Sequence, residues 1–125
     1  MNDKDKKTKK GFGFSYAIEG LITMSKTERN FQVHLIMATL AVITGFYTGI
    51  TRLEWALLVF AIGLVLIVEI VNTAIEKLID YLKPEIHPIA KFIKDISAAS
   101  VLLAAITAIF IGIFLFGPKL LHLFL

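Results

Sequence analysis

The chain has 125 residues, of which 57% are apolar, a formal net charge of +3 and no cysteine, and its mean hydropathy is +0.78. This length allows one domain, and a soluble core of that size could not bury so much apolar surface, since soluble domains are about 45–50% apolar. The composition therefore indicates a membrane protein. The lack of cysteine excludes disulfides, thiol nucleophiles and cysteine-based zinc sites.

The N-terminal region divides into two parts. Residues 1–10 are basic and polar, and we expect a disordered tail that lies against anionic lipid headgroups. Residues 14–29 are predicted to form an amphipathic helix at the membrane surface. Its apolar side chains recur at helical spacing, at Phe14, Ile18, Leu21 and Ile22.

Three apolar stretches predict membrane-spanning helices at about 31–50, 53–82 and 88–117, because each is close to the roughly 20 residues that cross a bilayer. With the surface helix, this predicts an all-α membrane protein whose single domain covers residues 1–125. Lys and Arg are concentrated before Phe31 and around the second connector. The positive-inside rule therefore places the N-terminus and that connector on the cytoplasmic side of the plasma membrane.

Four polar side chains share one face of the second span, at Glu69, Asn72, Glu76 and Asp80. Their spacings of three, four and four residues place them within about 80° of helix surface. Ionised carboxylates near hydrocarbon are costly, and interhelical polar bonds contribute only about 0.6–2 kcal/mol each. A functional role is therefore favoured over helix association, with metal or proton chemistry as the first hypothesis.

Two further elements are predicted to reach the same layer. Glu28, just before the first span, is expected at the depth where Glu76 emerges, and two carboxylates with phosphate oxygens suit Mg²⁺. Lys94 and Asp95 begin the third span on that side of the membrane. A cation beside metal-binding carboxylates and an amide is typical of phosphoryl transfer, where catalysis is mostly positioning and charge neutralisation.

These motifs resemble the family of bacterial membrane-embedded diacylglycerol and undecaprenol kinases, and the resemblance covers nearly the whole chain. The matching elements are Tyr16-x-x-x-Gly20-Leu21, Glu28-x-x-Phe31, Glu69-x-x-Asn72-Thr-Ala-Ile-Glu76-x-x-x-Asp80, His87 and Lys94-Asp95. The Asn72-Thr-Ala-Ile-Glu76-Lys77 version is closer to the Gram-positive undecaprenol kinases than to the enterobacterial diacylglycerol kinases.

The resemblance implies a role for each matched position. Glu69 is implied to be the base that accepts the proton of the lipid hydroxyl, and Glu28 and Glu76 to hold Mg²⁺ on the ATP phosphates. A small residue at Ala98 borders the lipid, together with Glu69. The implied nucleotide-binding positions are Tyr16, Glu28, Asn72, Glu76, Glu85, His87, Lys94 and Asp95.

The resemblance also implies a homotrimer in which each protomer has three spans and a surface helix. The implied partners are ATP, a membrane lipid alcohol and other copies of the chain, with no nucleic acid. Where some relatives have an early arginine that meets ATP, this chain has Lys9 or Lys10, which lack the bidentate fork of a guanidinium. The phosphate contact from the N-terminus is therefore open.

Three alternatives remain at this stage. Diacylglycerol is the rival lipid, although residues 57–68 are wholly apolar and offer nothing to its ester groups, which favours undecaprenol. A small ion or proton carrier would also place acids inside spans. A structural membrane subunit would tolerate the loss of Glu69. The clustering of the acids at one face of the membrane argues against both non-enzymes.

Overall fold

Four helices form nearly all of the protein in the computed structural model, which describes residues 13–125. They are α1 (Gly13–Thr27), α2 (Arg29–Thr48), α3 (Arg52–Leu82) and α4 (Pro88–Phe124). By length and composition, α2, α3 and α4 are each able to cross a membrane. The prediction of an all-α membrane protein with three spans and a shorter N-terminal helix is confirmed. The predicted tail at 1–10, with Lys9 and Lys10, lies outside the described residues.

The junction between α1 and α2 is held by one side chain and two buried apolar residues. Gln32 Nε2 on α2 donates to the carbonyl oxygens of Ser25, at 3.0 Å, and Lys26, at 3.3 Å. These carbonyls end α1 and have no partner within the helix. Met24 and Phe31 are buried on either side of the break. Apart from Met24, most of α1 is exposed. The contacts at the α1–α2 junction therefore hold α1 in place.

The α2–α3 connector is short and strongly specified. Gly49 has φ 67° and ψ 53°, and its N–H donates to the Gly45 carbonyl, which is the left-handed conformation that glycine adopts most readily at a helix end. Thr51 and Glu54 then form a reciprocal capping box at the start of α3. Such a box satisfies two otherwise orphan backbone N–H groups, which explains why α3 begins immediately after the turn.

α3 packs most extensively against α4, and its buried residues follow spacings of three and four. From one end they are apolar, at Leu58, Ala61 and Val65, and they then become polar, at Glu69, Asn72 and Thr73. On α4 the buried positions Ala90, Ser97 and Ala104 are seven residues apart. A spacing of seven residues, which is two turns at 3.5 residues per turn, is typical of the contact line between two helices that cross at a shallow angle. The polar stripe therefore continues the packing face of α3.

The far end of α4 differs from the sequence prediction. The span is predicted to end at about 117, where the uncharged stretch ends, but α4 continues through Pro118 to Phe124. Two contacts hold the extension in place. Lys119 Nζ lies 3.2 Å from Glu54 Oε1 at the start of α3, and Phe116 packs on the cluster of Ile50, Leu58 and Leu115.

Candidate active site

Glu69 is the most deeply buried ionisable residue described, with 2% of its surface exposed. Its Oε2 atom has no hydrogen-bond partner among the described residues. The closest cationic or potentially cationic group is His34 on α2, whose Nε2 lies 3.7 Å from Oε2. That separation is too long for a hydrogen bond. A buried carboxylate oxygen without a partner is costly for folding, which makes Glu69 a candidate functional residue.

Glu76, two turns further along α3, belongs to a chain of hydrogen bonds. Asn72 Nδ2 donates to Glu76 Oε1 at 3.2 Å. Ser97 Oγ on α4 in turn donates to Asn72 Oδ1 at 2.7 Å. The amide of Asn72 is thus held at both ends, between a carboxylate on its own helix and a hydroxyl on the neighbouring helix.

Asp80, at the wet end of the stripe, pairs with Lys94. Lys94 Nζ on α4 donates to Asp80 Oδ1 in a short hydrogen bond. Asp80 therefore draws the Lys94 side chain across to α3. Each acid of the stripe thus has a different neighbour. Glu69 lies near an imidazole, Glu76 accepts from an amide, and Asp80 accepts from an ammonium group. These separate neighbours explain how three acids share one helix face.

Glu28 lies between α1 and α2, and its carboxylate is not used to cap α2. It receives Thr27 Oγ1 at 3.4 Å and lies 3.7 Å from Lys77 Nζ. The Lys77 side chain is mostly exposed, and exposed ion pairs contribute only about 0–1 kcal/mol. This pair would not hold the carboxylate against a divalent cation. Glu28 and Glu76 are both near enough for their charges to act on Glu69.

The other sequence-predicted positions lie around this cluster without bonding to it. Asp95 pairs with Lys91 at 2.6 Å, and Glu85 lies 3.8 Å from Lys83. His87 precedes α4, and its Nδ1 accepts the Ile89 N–H at 3.1 Å. Tyr16 on α1 and Ala98 on α4 are exposed. Among residues 13–125, no hydrogen bond or ion pair joins these five residues to Glu69, Asn72 or Glu76.

Two contacts of the stripe escaped the sequence analysis. Ser97 was not singled out, although it lies one turn beyond Lys94 on α4, and that spacing could have indicated it. His34 is the second residue that the sequence analysis did not single out. The distance from His34 to Glu69 depends on how α2 packs on α3, which the spacing of histidines does not reveal.

An apolar cavity of about 790 Å³ lies between α2, α3 and α4. Except for His34 and Thr44, every residue lining it is apolar. His34 thus lines the cavity and also places its Nε2 3.7 Å from Glu69 Oε2. It links the apolar cavity to the buried carboxylate, which does not itself line the cavity.

Comparison of the sequence with known proteins places this arrangement in a known family. The model of the prokaryotic diacylglycerol kinase family matches residues 15–116. Undecaprenol kinase of Bacillus subtilis strain 168 is 37% identical over 107 residues, which cover 86% of this chain and 87% of the relative. Diacylglycerol kinase of Synechocystis is 35% identical over 88% of this chain and 63% of its own length.

Diacylglycerol kinase of Escherichia coli K12 is 33% identical over 94 residues, which cover 75% of this chain and 77% of the relative. The matched region contains α2, α3 and every residue of the polar stripe. The kinase family implies ATP as the phosphate donor. The chain therefore belongs to the prokaryotic diacylglycerol kinase family, and it is a membrane-embedded lipid kinase.

Proposed function

We propose that this kinase transfers the γ-phosphate of Mg-ATP to the hydroxyl of undecaprenol, with Glu69 as the general base. The lipid oxygen attacks the γ-phosphorus, its proton passes to Glu69, the bond to the β–γ bridging oxygen breaks and ADP leaves. A primary alcohol has a pKa far above 7, so a base positioned at the hydroxyl assists as proton transfer develops.

The observation that carries this proposal is the unpartnered Oε2 of Glu69, whose neighbour His34 also lines the apolar cavity. A general base must have an oxygen within reach of the proton it removes. Among the described residues, no donor forms a hydrogen bond with Glu69 Oε2. The side chain is also shielded from water, because the packed helices bury Glu69. A lipid hydroxyl meeting such a group would still have apolar volume next to it for the chain that carries the hydroxyl.

The chain's carboxylates also fit a magnesium site. Glu28 and Glu76 offer hard oxygen ligands, and Mg²⁺ in kinases commonly takes one or two carboxylates, with phosphate oxygens and waters completing its shell. When bound, Mg²⁺ would neutralise charge on the β- and γ-phosphates. Lys94, held by Asp80, would add a second positive charge.

The remaining nucleotide-binding positions belong to the same proposal. Tyr16 lies on α1, Glu85 and His87 lie in the α3–α4 connector, and Asp95 lies near the start of α4. Ala98, exposed on α4, would border the lipid. The proposal includes assembly as a homotrimer, which the family resemblance implies. It also includes a cytoplasmic position for the N-terminus and the α3–α4 connector.

Two observations favour undecaprenol over diacylglycerol. The cavity beside His34 offers no donors for two ester groups apart from His34 and Thr44, and a site that recognises polar groups needs partners for them. The Bacillus subtilis relative, which covers most of this chain, is an undecaprenol kinase. Diacylglycerol is the second candidate, because the Synechocystis and Escherichia coli relatives are diacylglycerol kinases.

A competition assay tests the choice of lipid. The purified chain in mixed micelles would receive radiolabelled ATP, Mg²⁺ and both alcohols at equal mole fraction, with Glu69→Gln as the inactive control. We expect a higher kcat/KM for undecaprenol. A higher value for diacylglycerol would overturn the choice of lipid and leave the kinase assignment standing. Equal phosphate transfer by the Glu69→Gln variant would overturn the role of Glu69.

A further inference from the structure

Ser97 is buried in the α3–α4 seam, with 7% of its surface exposed. Its hydroxyl donates across the helix interface to Asn72 Oδ1 at 2.7 Å. Ser100, one turn further along α4, donates instead to the Ser97 carbonyl of its own helix at 2.6 Å. Of these two neighbouring hydroxyls, only that of Ser97 reaches the polar stripe of α3.

The bond from Ser97 anchors the oxygen end of the Asn72 amide. An amide has one end that only accepts and one that only donates hydrogen bonds. With Oδ1 held by the Ser97 hydroxyl, the Nδ2 group donates to Glu76 Oε1 at 3.2 Å. Without the serine hydroxyl, Oδ1 would lose its partner across the helix interface, and the amide would no longer be fixed against the Glu76 carboxylate.

We propose that Ser97 is a positioning residue for the metal site, acting through Asn72 to fix the orientation of the Glu76 carboxylate. This rests on the proposed role of Glu76 as a ligand of Mg²⁺. Groups that orient a metal ligand typically change metal affinity by about 10–100-fold when they are removed. A hydrogen bond that served only to join two helices would have a small effect on stability and none on metal affinity.

Metal binding can be measured without turnover. Purified full-length protein in detergent would be titrated with Mn²⁺ in the presence of a non-hydrolysable ATP analogue, and bound Mn²⁺ followed by electron paramagnetic resonance. We expect Ser97→Ala to raise the Kd for Mn²⁺ about tenfold. Ser97→Thr keeps the hydroxyl and should restore binding towards the original value. Ser100→Ala, the matched control, should leave the Kd unchanged.

Thermal melting of each variant separates positioning from packing. We expect Ser97→Ala and Ser100→Ala to melt within a few degrees of the parent. An unchanged Mn²⁺ Kd in Ser97→Ala, whatever its melting temperature, would overturn the inference, as would an equal rise in Ser100→Ala. The Glu76→Ala variant shows which of the two proposals fails, the role of Ser97 or the metal site itself. If Glu76→Ala weakens Mn²⁺ binding and Ser97→Ala does not, only the role of Ser97 fails. If neither does, the proposed metal site fails.

Discussion

The two halves of α3 use the same helix face in opposite ways. Towards its N-terminus, Leu58, Ala61 and Val65 are buried by apolar contact. Towards its C-terminus, Glu69 and Asn72 continue the same spacing but meet polar groups, an imidazole and a hydroxyl. The packing geometry is thus continuous, while the chemistry changes within one helical turn. We call these the apolar half and the polar half.

The apolar half depends on closely fitted shapes. Trp55 packs against Phe46 in a tilted arrangement with ring centroids 4.7 Å apart, and Gly45 leaves room for the indole. A Cβ atom at Gly45 would lie 2.8 Å from Trp55 Cη2. Such an interface loses stability when volume is added or removed. The polar half instead contains an unpartnered carboxylate oxygen. Substitutions there should alter turnover more than stability.

The largest expected effect is that of Glu69→Gln. The amide is nearly isosteric and removes both the charge and the basicity, so we expect kcat to fall by at least about 10²-fold, the scale of general-base catalysis. The thermal midpoint should stay the same or rise, because the substitution removes a buried carboxylate whose Oε2 has no hydrogen-bond partner among the described residues. Steady-state kinetics with saturating Mg-ATP, together with calorimetry, would check both. A folded variant with near-normal turnover would end the assignment.

Substitutions of Glu28 and Glu76, alone and together, test whether the polar half of α3 holds a shared metal site. Glu28→Ala and Glu76→Ala should each weaken the use of Mg-ATP, seen as a higher Mg²⁺ requirement. The double variant should lose less than the sum of the two, because residues that share a ligand are coupled. Strictly additive losses in kcat/KM would show that the two carboxylates serve separate sites. A Lys77→Ala control should be nearly silent, since its contact with Glu28 is exposed.

A substitution at His34 tests the boundary between the two halves. His34→Phe keeps a ring on the cavity wall and removes the nitrogen that faces Glu69. Small displacements of a reacting group can cost a large factor in rate, so we expect the loss of this neighbour to lower kcat/KM for the lipid by about tenfold or more. The KM for Mg-ATP should not change, because no described hydrogen bond or ion pair joins His34 to Glu28, Asn72 or Glu76. A rise in that KM alone would contradict this division.

The helices and the stripe could be predicted from the sequence because both depend on local periodicity. The apolar stretches and the spacing of Glu69, Asn72 and Glu76 are properties of one segment. The partners of these residues could not be predicted so directly. His34 meets Glu69, and Ser97 meets Asn72, only through the relative rotation of packed helices. The continuation of α4 past Pro118 likewise depends on a contact between Lys119 and Glu54, far apart in sequence.

The smallest expected effect comes from the apolar half, through a pair of glycines. Gly45→Ala places a Cβ against Trp55, whereas Gly63→Ala on α3 adds one where no other atom lies within 4 Å. Both changes gain the same helix propensity, roughly 1 kcal/mol in water. The difference between them therefore isolates the overpacking, which typically costs about 1–3 kcal/mol.

We expect Gly45→Ala to melt a few degrees below Gly63→Ala, which follows from about 1 kcal/mol in a domain of this size. Below its melting temperature it should keep the kcat and both KM values of the parent. Differential scanning calorimetry and kinetics on the same preparations would test this. If Gly45→Ala instead lowered kcat while melting normally, strain at Trp55 would be reaching Glu69 along α3. The two halves of α3 would then be coupled, and packing in the apolar half could not be separated from chemistry in the polar half.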